Sequence, residues 1–140
     1  MAFQELARSA GLLLARISLA AIFLYGGFQN ASRVPEIAAS LGTMHYPKPM
    51  LLAVIAVAAA LLGGVSILFG AITALGCVAL LCFLVPATYS FHFIAARAGD
   101  VGQLIEVLKN LGLMGGLLAL LCAGPGALSV DRRLFKWGGK

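Results

Sequence analysis

The stretch Pro86–Phe93, "PATYSFHF", sets the hydroxyls of Thr88, Tyr89 and Ser90 and the imidazole of His92 directly after a long apolar run. Similar polar groups recur at the ends of other apolar runs: Tyr25, Gln29 and Asn30 in one, Lys109 and Asn110 in another. His45 and Tyr46 fall in a short polar segment between runs. Tyr25 and Gln29 are four residues apart, as are Thr88 and His92, so each pair shares one helical face. Histidine, tyrosine and asparagine are the hydrogen-bonding groups that a quinone carbonyl needs. Gathered at one membrane depth above an apolar shaft, they suit an amphipathic molecule with a polar head and a greasy tail. In that arrangement His92 donates to one carbonyl, Tyr89 or Asn110 holds the other, and Lys109 stabilises a reduced anion. A second reading stands beside this one. Tyrosine anchors helices at membrane interfaces, and histidine or asparagine at a helix end needs only to meet water.

Other chemistry is missing. The three cysteines, Cys77, Cys82 and Cys122, lie inside apolar runs and form no Cys-x-x-Cys pair. Five residues put Cys77 and Cys82 about 140° apart on a helix, so a dithiol or metal centre is not expected. Paired carboxylates, phosphate-cradling loops and a Ser-His-Asp order are absent, and no apolar run holds an acid at its centre. Nothing in the residues alone proves catalysis.

The elements that position these groups follow from composition. Of 140 residues 61% are hydrophobic and 11% charged, with a mean hydropathy of +1.01. Soluble domains carry about a quarter charged residues. One all-α integral membrane domain is therefore expected over residues 1–140. The net charge is +5, but the basic residues are scattered between apolar runs, which points to membrane topology and away from nucleic acid.

A spanning helix needs about 20 apolar residues. Four such runs are present, at about Ala10–Gln29, Met50–Phe69, Ala71–Phe91 and Leu104–Cys122. They predict an antiparallel four-helix transmembrane bundle. The first run is longer than a signal-peptide core and lacks a small-x-small cleavage site, so it reads as a retained span. The second and third runs share one stretch too long for a single crossing, and Gly70 is the expected break. Between the first two spans, Pro35 suits a helix start, and Ile37, Leu41 and Met44 share a face. A short surface helix at about Pro35–Met44 follows, ending before the two prolines of "YPKP". Pro86 frees a backbone carbonyl near Cys82 and is expected to kink the third span.

Both termini and the tight turn share one side with Arg8, Arg16, Arg132, Arg133, Lys136 and Lys140; Arg33, Lys48, Arg97 and Lys109 lie on the other. Six against four places both termini in the cytoplasm. The tail "DRRLFKWGGK", with Trp137, suits anionic headgroups. Arg16 sits inside the first apolar run with no acid near its depth, and snorkelling to the headgroups is its expected solution. Gly112 and Gly116 form a G-x-x-x-G step, and Ala56, Ala60 and Gly64 continue that spacing in the second span. Such steps allow close helix contact within one bundle, or between two copies as a homo-oligomer.

The pattern resembles the DoxX family of small four-span bacterial membrane proteins. The segment Lys109–Asp131 carries the resemblance most closely, through Lys109-Asn110, Gly115-Gly116, Gly124-Pro125-Gly126, and Ser129 with Asp131. "LLGGVSILFG" and "IFLYGGFQN" are similar to the ends of the family's second and first spans, and His92 and Arg16 also fit. The resemblance runs from about Leu12 to Asp131, nearly the whole chain. It implies a bacterial inner-membrane protein with a redox-support role linked to quinone, acting with a partner redox protein. Family members often carry a lysine at Asn30, an acid near Ala60 and a basic residue near Ala74; all three positions are neutral here. The opposite charges are removed together, as if one intramembrane ion-pair network had been deleted whole. Two function classes remain: a quinone-binding redox component, and a non-catalytic scaffold or accessory subunit.

Overall fold

The computed structural model describes residues 2–135. Lys136, Trp137 and Lys140, expected to anchor the tail, lie outside the described residues. Every element among the described residues is helical. Helix α1 (Ala2–Ala31) is followed by the short α2 (Val34–Thr43), then α3 (Pro49–Phe69) and α4 (Thr73–Ala87). A π-helical segment (Thr88–Phe93) and α5 (Ile94–Arg97) extend α4 without a break. Helix α6 (Val101–Ala123) and the short α7 (Val130–Phe135) complete the fold.

Four helices are long and apolar enough to cross a membrane: α1, α3, the α4–α5 rod and α6. They form a ring in which α1 packs on α3, α3 on α4, α4 on α6, and α6 more sparsely on α1. At 30 residues, α1 is about 45 Å long, so its first turns project beyond a hydrocarbon layer of about 30 Å. The core is a column of Ala20, Phe23, Ile67, Cys77, Leu80, Leu117 and Leu120. Large apolar side chains such as Leu62, Leu75, Ile105 and Leu111 point outward, as lipid contact requires. All three cysteines are free; Cys77 is buried, Cys82 and Cys122 are exposed.

Turn chemistry sets the boundaries. Pro35 and Pro49 each occupy the first turn of a helix, where the missing N–H costs nothing. Gly70 ends α3 with φ +65°, and its N–H returns to the Ser66 carbonyl. Two residues later Ile72 holds φ +53°, a left-handed conformation that is strained for a β-branched side chain. Asp100 caps α6, accepting a hydrogen bond from the Gln103 amide at 3.1 Å.

Small residues determine which faces meet. A Cβ on Gly27 would lie 2.9 Å from Leu61 Cδ2, and one on Gly64 would lie 2.9 Å from Leu24, so α1 and α3 need both glycines. A Cβ on Gly63 would strike Leu80, and one on Gly76 would strike Ser66, where α3 meets α4. Gly116 packs on Leu19 inside the bundle, whereas Gly112 and Gly115 face open space. A Gly76→Leu substitution should therefore separate α3 from α4 at their turn. Overpacking of this kind costs about 1–3 kcal/mol, and thermal unfolding in detergent would measure it.

Helix α2 and the loop after it close one end of the ring. Ala38 and Leu41 are buried with Ala53 of α3, and Tyr46 and Phe91 pack against that cluster. Of the face expected from sequence, Leu41 is buried and Ile37 half-buried, whereas Met44 stays exposed.

Candidate functional site: a π-helical end and an arginine-locked end

At the α2 end, the effect of Pro86 extends beyond a missing hydrogen bond. The helix continues through Pro86, and from Thr88 to Phe93 it widens to a π-helix. A π-helical segment inserts one extra residue into the helical register and redirects the side chains that follow. Here it sends three polar groups to three partners. Thr88, buried, donates to the Leu84 carbonyl at 2.6 Å and accepts from Asn110 Nδ2 at 3.0 Å. Ser90, also buried, bonds the Tyr46 hydroxyl at 2.7 Å, fastening the loop after α2. His92 Nδ1 lies 2.6 Å from Gln103 Oε1 on α6. An amide oxygen can only accept, so Nδ1 carries the hydrogen in this pair, and the corresponding neutral tautomer presents Nε2 as an acceptor.

The sequence-derived site residues therefore divide. Thr88, His92 and Asn110 converge on the seam between the π-helical segment and α6. Tyr25 and Gln29 bond each other at 3.2 Å on an exposed face of α1, away from that seam. Asn30 is half-buried at the end of α1, where its carbonyl accepts from the Arg33 amide. Tyr89 is 57% exposed and stacks on Phe93. Lys109 is ion-paired with Glu106 on the same helix. Gln103 is not among the expected residues, and Ser90 stands in the polar stretch without an assigned role. Gln103 had a signal: it lies two turns before Asn110, hence on the same face of α6.

The opposite end corrects the expectation for Arg16. Its guanidinium does not snorkel; it is 2% exposed, and each of its three nitrogens donates to a backbone carbonyl. Nε donates to the Ile67 carbonyl at 2.9 Å and Nη2 to the Leu68 carbonyl at 2.9 Å. Nη1 donates to Pro125 and Leu128, each at 2.8 Å. Ile67 and Leu68 belong to the last turn of α3, whose carbonyls lack helical partners and whose dipole end is negative. Arg16 thus caps α3 from a neighbouring helix and ties the loop after α6 to it. The expected lack of a nearby acid is also revised, because Asp131 returns to this end. Its carboxylate accepts from Ile72 N at 2.6 Å, Thr73 N at 2.9 Å and Thr73 Oγ1 at 2.8 Å, capping α4. The Asp131 amide donates to the Gly70 carbonyl at 2.8 Å.

Burial alone would raise the Asp131 carboxyl, but the bonds from Thr73 and Ile72, with Arg16 nearby, hold it below the usual carboxylate range. Its folded pKa is thus depressed. The stabilisation is complete above the unfolded value of about 3.9 and is lost as pH falls through the folded value. Wild-type protein should therefore lose thermal stability below about pH 4, and Asp131→Asn should flatten that acid limb of the pH profile.

A buried arginine in the first span, paired glycines in the second, and a polar segment closing the third form one pattern. The DoxX family model matches residues 11–93 of this chain. The chain belongs to the DoxX family. It is 33% identical over 129 residues to inner membrane protein YphA of Escherichia coli (strain K12), covering 91% of this chain and 92% of that protein. It is also 33% identical over 126 residues to inner membrane protein YqjF of the same strain, covering 90% and 93%. No solved structure matches. This DoxX chain is a multi-pass inner-membrane protein. The matched region contains Arg16, Gly70, Thr88 and His92, whereas Asn110 and the Gly124–Asp131 loop lie beyond it.

Proposed function

We propose that this DoxX protein is redox-associated and binds a quinone-like amphipathic molecule at the end of the bundle closed by α2. Six basic residues against four favour both termini in the cytoplasm, which makes that end extracytoplasmic. The observation that carries the reading is the π-helical segment with His92 held by Gln103. Functional positions in helices often coincide with such segments. The ring is half-buried, and its free Nε2 is an acceptor. That polarity favours a quinol hydroxyl over a quinone carbonyl, and so reverses the donor role expected from sequence. Asn110 Nδ2 has a second hydrogen beyond the one given to Thr88, and the Tyr89 hydroxyl is exposed nearby in sequence. Lys109, paired with Glu106, would have to leave that partner to reach an anion. Tyr25, Gln29 and Asn30 on α1 would guide the headgroup at the membrane surface.

The test is chemical. Detergent-purified protein should release a quinone or quinol on organic extraction, detectable by mass spectrometry. His92→Ala should reduce retention at least about tenfold, which corresponds to one well-aligned hydrogen bond. Protein that carries none, in either form, would contradict the reading.

One observation favours a second reading, that of an accessory subunit. Among the described residues no buried side-chain polar atom lacks a partner, so the α2 end is chemically satisfied without a ligand. A partner redox protein, or a second copy, would then use the open Gly112–Gly115 face of α6. Cysteine cross-linking from Gly112→Cys in native membranes would capture that neighbour.

A further inference from the structure

A cavity far from His92 lies at the end locked by Arg16. It has a volume of about 910 Å³ and opens between the first turns of α1 and the last turn of α6. Leu12, Leu120 and Leu121 form its apolar wall. Arg8 and Arg132 stand at its rim, both exposed, and neither is paired with a carboxylate among the described residues. Arg8 makes one long bond, 3.4 Å, to the Ala123 carbonyl across the gap. Glu5 and Asp131 also line the cavity, but Asp131 is already committed to Ile72 and Thr73. Arg8 precedes the apolar run that begins at Ala10, so the rim sits at headgroup depth and the wall at acyl depth.

We propose that this cavity is a binding site for one anionic phospholipid, with its phosphate between Arg8 and Arg132 and an acyl chain along Leu12, Leu120 and Leu121. A pocket of this size holds a ligand of several hundred cubic ångströms, with apolar walls and a few polar groups fixing the head. Two unpaired guanidiniums favour a net-anionic head, because a zwitterionic head brings, beside its phosphate, an ammonium that both arginines repel. The sparse α1–α6 packing leaves the lateral opening that an acyl chain requires.

The experiment compares phosphatidylglycerol with phosphatidylcholine of identical acyl chains, bound to the full chain in detergent and read by native mass spectrometry. Each arginine near an anionic headgroup contributes about fivefold, so the wild type should prefer phosphatidylglycerol by about 25-fold. The R8Q/R132Q double variant, altered only at exposed positions, should bind both lipids about equally. Arg133→Gln, exposed and outside the cavity, should retain the wild-type preference. Ala74→Trp projects into the cavity from an exposed position and should weaken both lipids together. Inorganic phosphate should not compete. The proposal is overturned if the wild type shows no preference, or if the double variant keeps it. A loss of preference in Arg133→Gln equal to that of the double variant, unchanged binding in Ala74→Trp, or competition by inorganic phosphate would each overturn it as well.

Discussion

Arg16→Met should destabilise the bundle by about 3–5 kcal/mol, the range found when one member of a buried charged network is removed. The methionine fills most of the volume but offers no donor. Four carbonyls, those of Ile67, Leu68, Pro125 and Leu128, lose their partner at once. Each uncovered buried carbonyl costs about 1–3 kcal/mol, and relaxation of the loop after α6 recovers part of that sum. Asp131 also loses the nearby positive charge that helps hold it ionised. Arg16→Lys should recover less than half of the loss. An ammonium presents three hydrogens from one point, whereas these carbonyls approach three separate nitrogens of a planar fork. Reversible unfolding in mixed detergent measures both variants. If Arg16→Met were as stable as wild type, Arg16 would not be holding α3 and the α6–α7 loop together.

Gly70→Ala should cost about 2–4 kcal/mol through two separable effects. Its φ of +65° is open to glycine and penalised for alanine. The added methyl would also lie 2.6 Å from Ser129 Cβ and 2.9 Å from Arg16 Cζ. The second effect is the larger, because Ser129 and Arg16 are both buried and cannot simply swing aside. Double-mutant analysis isolates the Arg16 share: in an Arg16→Met background the Gly70→Ala cost should shrink by that share, leaving the Ser129 contact and the backbone part. Strict additivity of the two substitutions would contradict direct contact between them.

The spans were legible because hydropathy is a local property of each run. Gly70 and the prolines marked boundaries for equally local reasons, since φ preference and a missing N–H act within one residue. Helix α1 begins at Ala2, well before Ala10, because Gln4, Glu5 and Arg8 are good helix formers that hydropathy does not count. The environment of Arg16 was not legible. Its partners lie 51 to 112 residues away, and all are backbone carbonyls that carry no sequence signature. The π-helical segment was half visible, as a disturbance after Pro86, but not as the register change that parts Thr88, Ser90 and His92.

The candidate site shows how depth and direction separate. Sequence placed Tyr25, Gln29, Thr88, His92 and Asn110 at one depth. Direction depends on which face packs, and in α1 that is set by Gly27 against Ala60 and Leu61. Tyr25 and Gln29 each lie two residues from Gly27, about 160° around the helix, so they point outward. Thr88 and Asn110 meet because α4 and α6 are neighbours in the ring, whereas α1 lies diagonally across from α4.

Photoaffinity labelling with an azido-quinone, followed by peptide mapping, reports whether a quinone occupies the seam between the π-helical segment and α6. The label should be concentrated between Thr88 and Asn110, competed by unmodified quinol and lost in His92→Ala. A label spread evenly over the lipid-facing surface, or concentrated around Leu120 and Leu121 at the arginine-locked end, would contradict it.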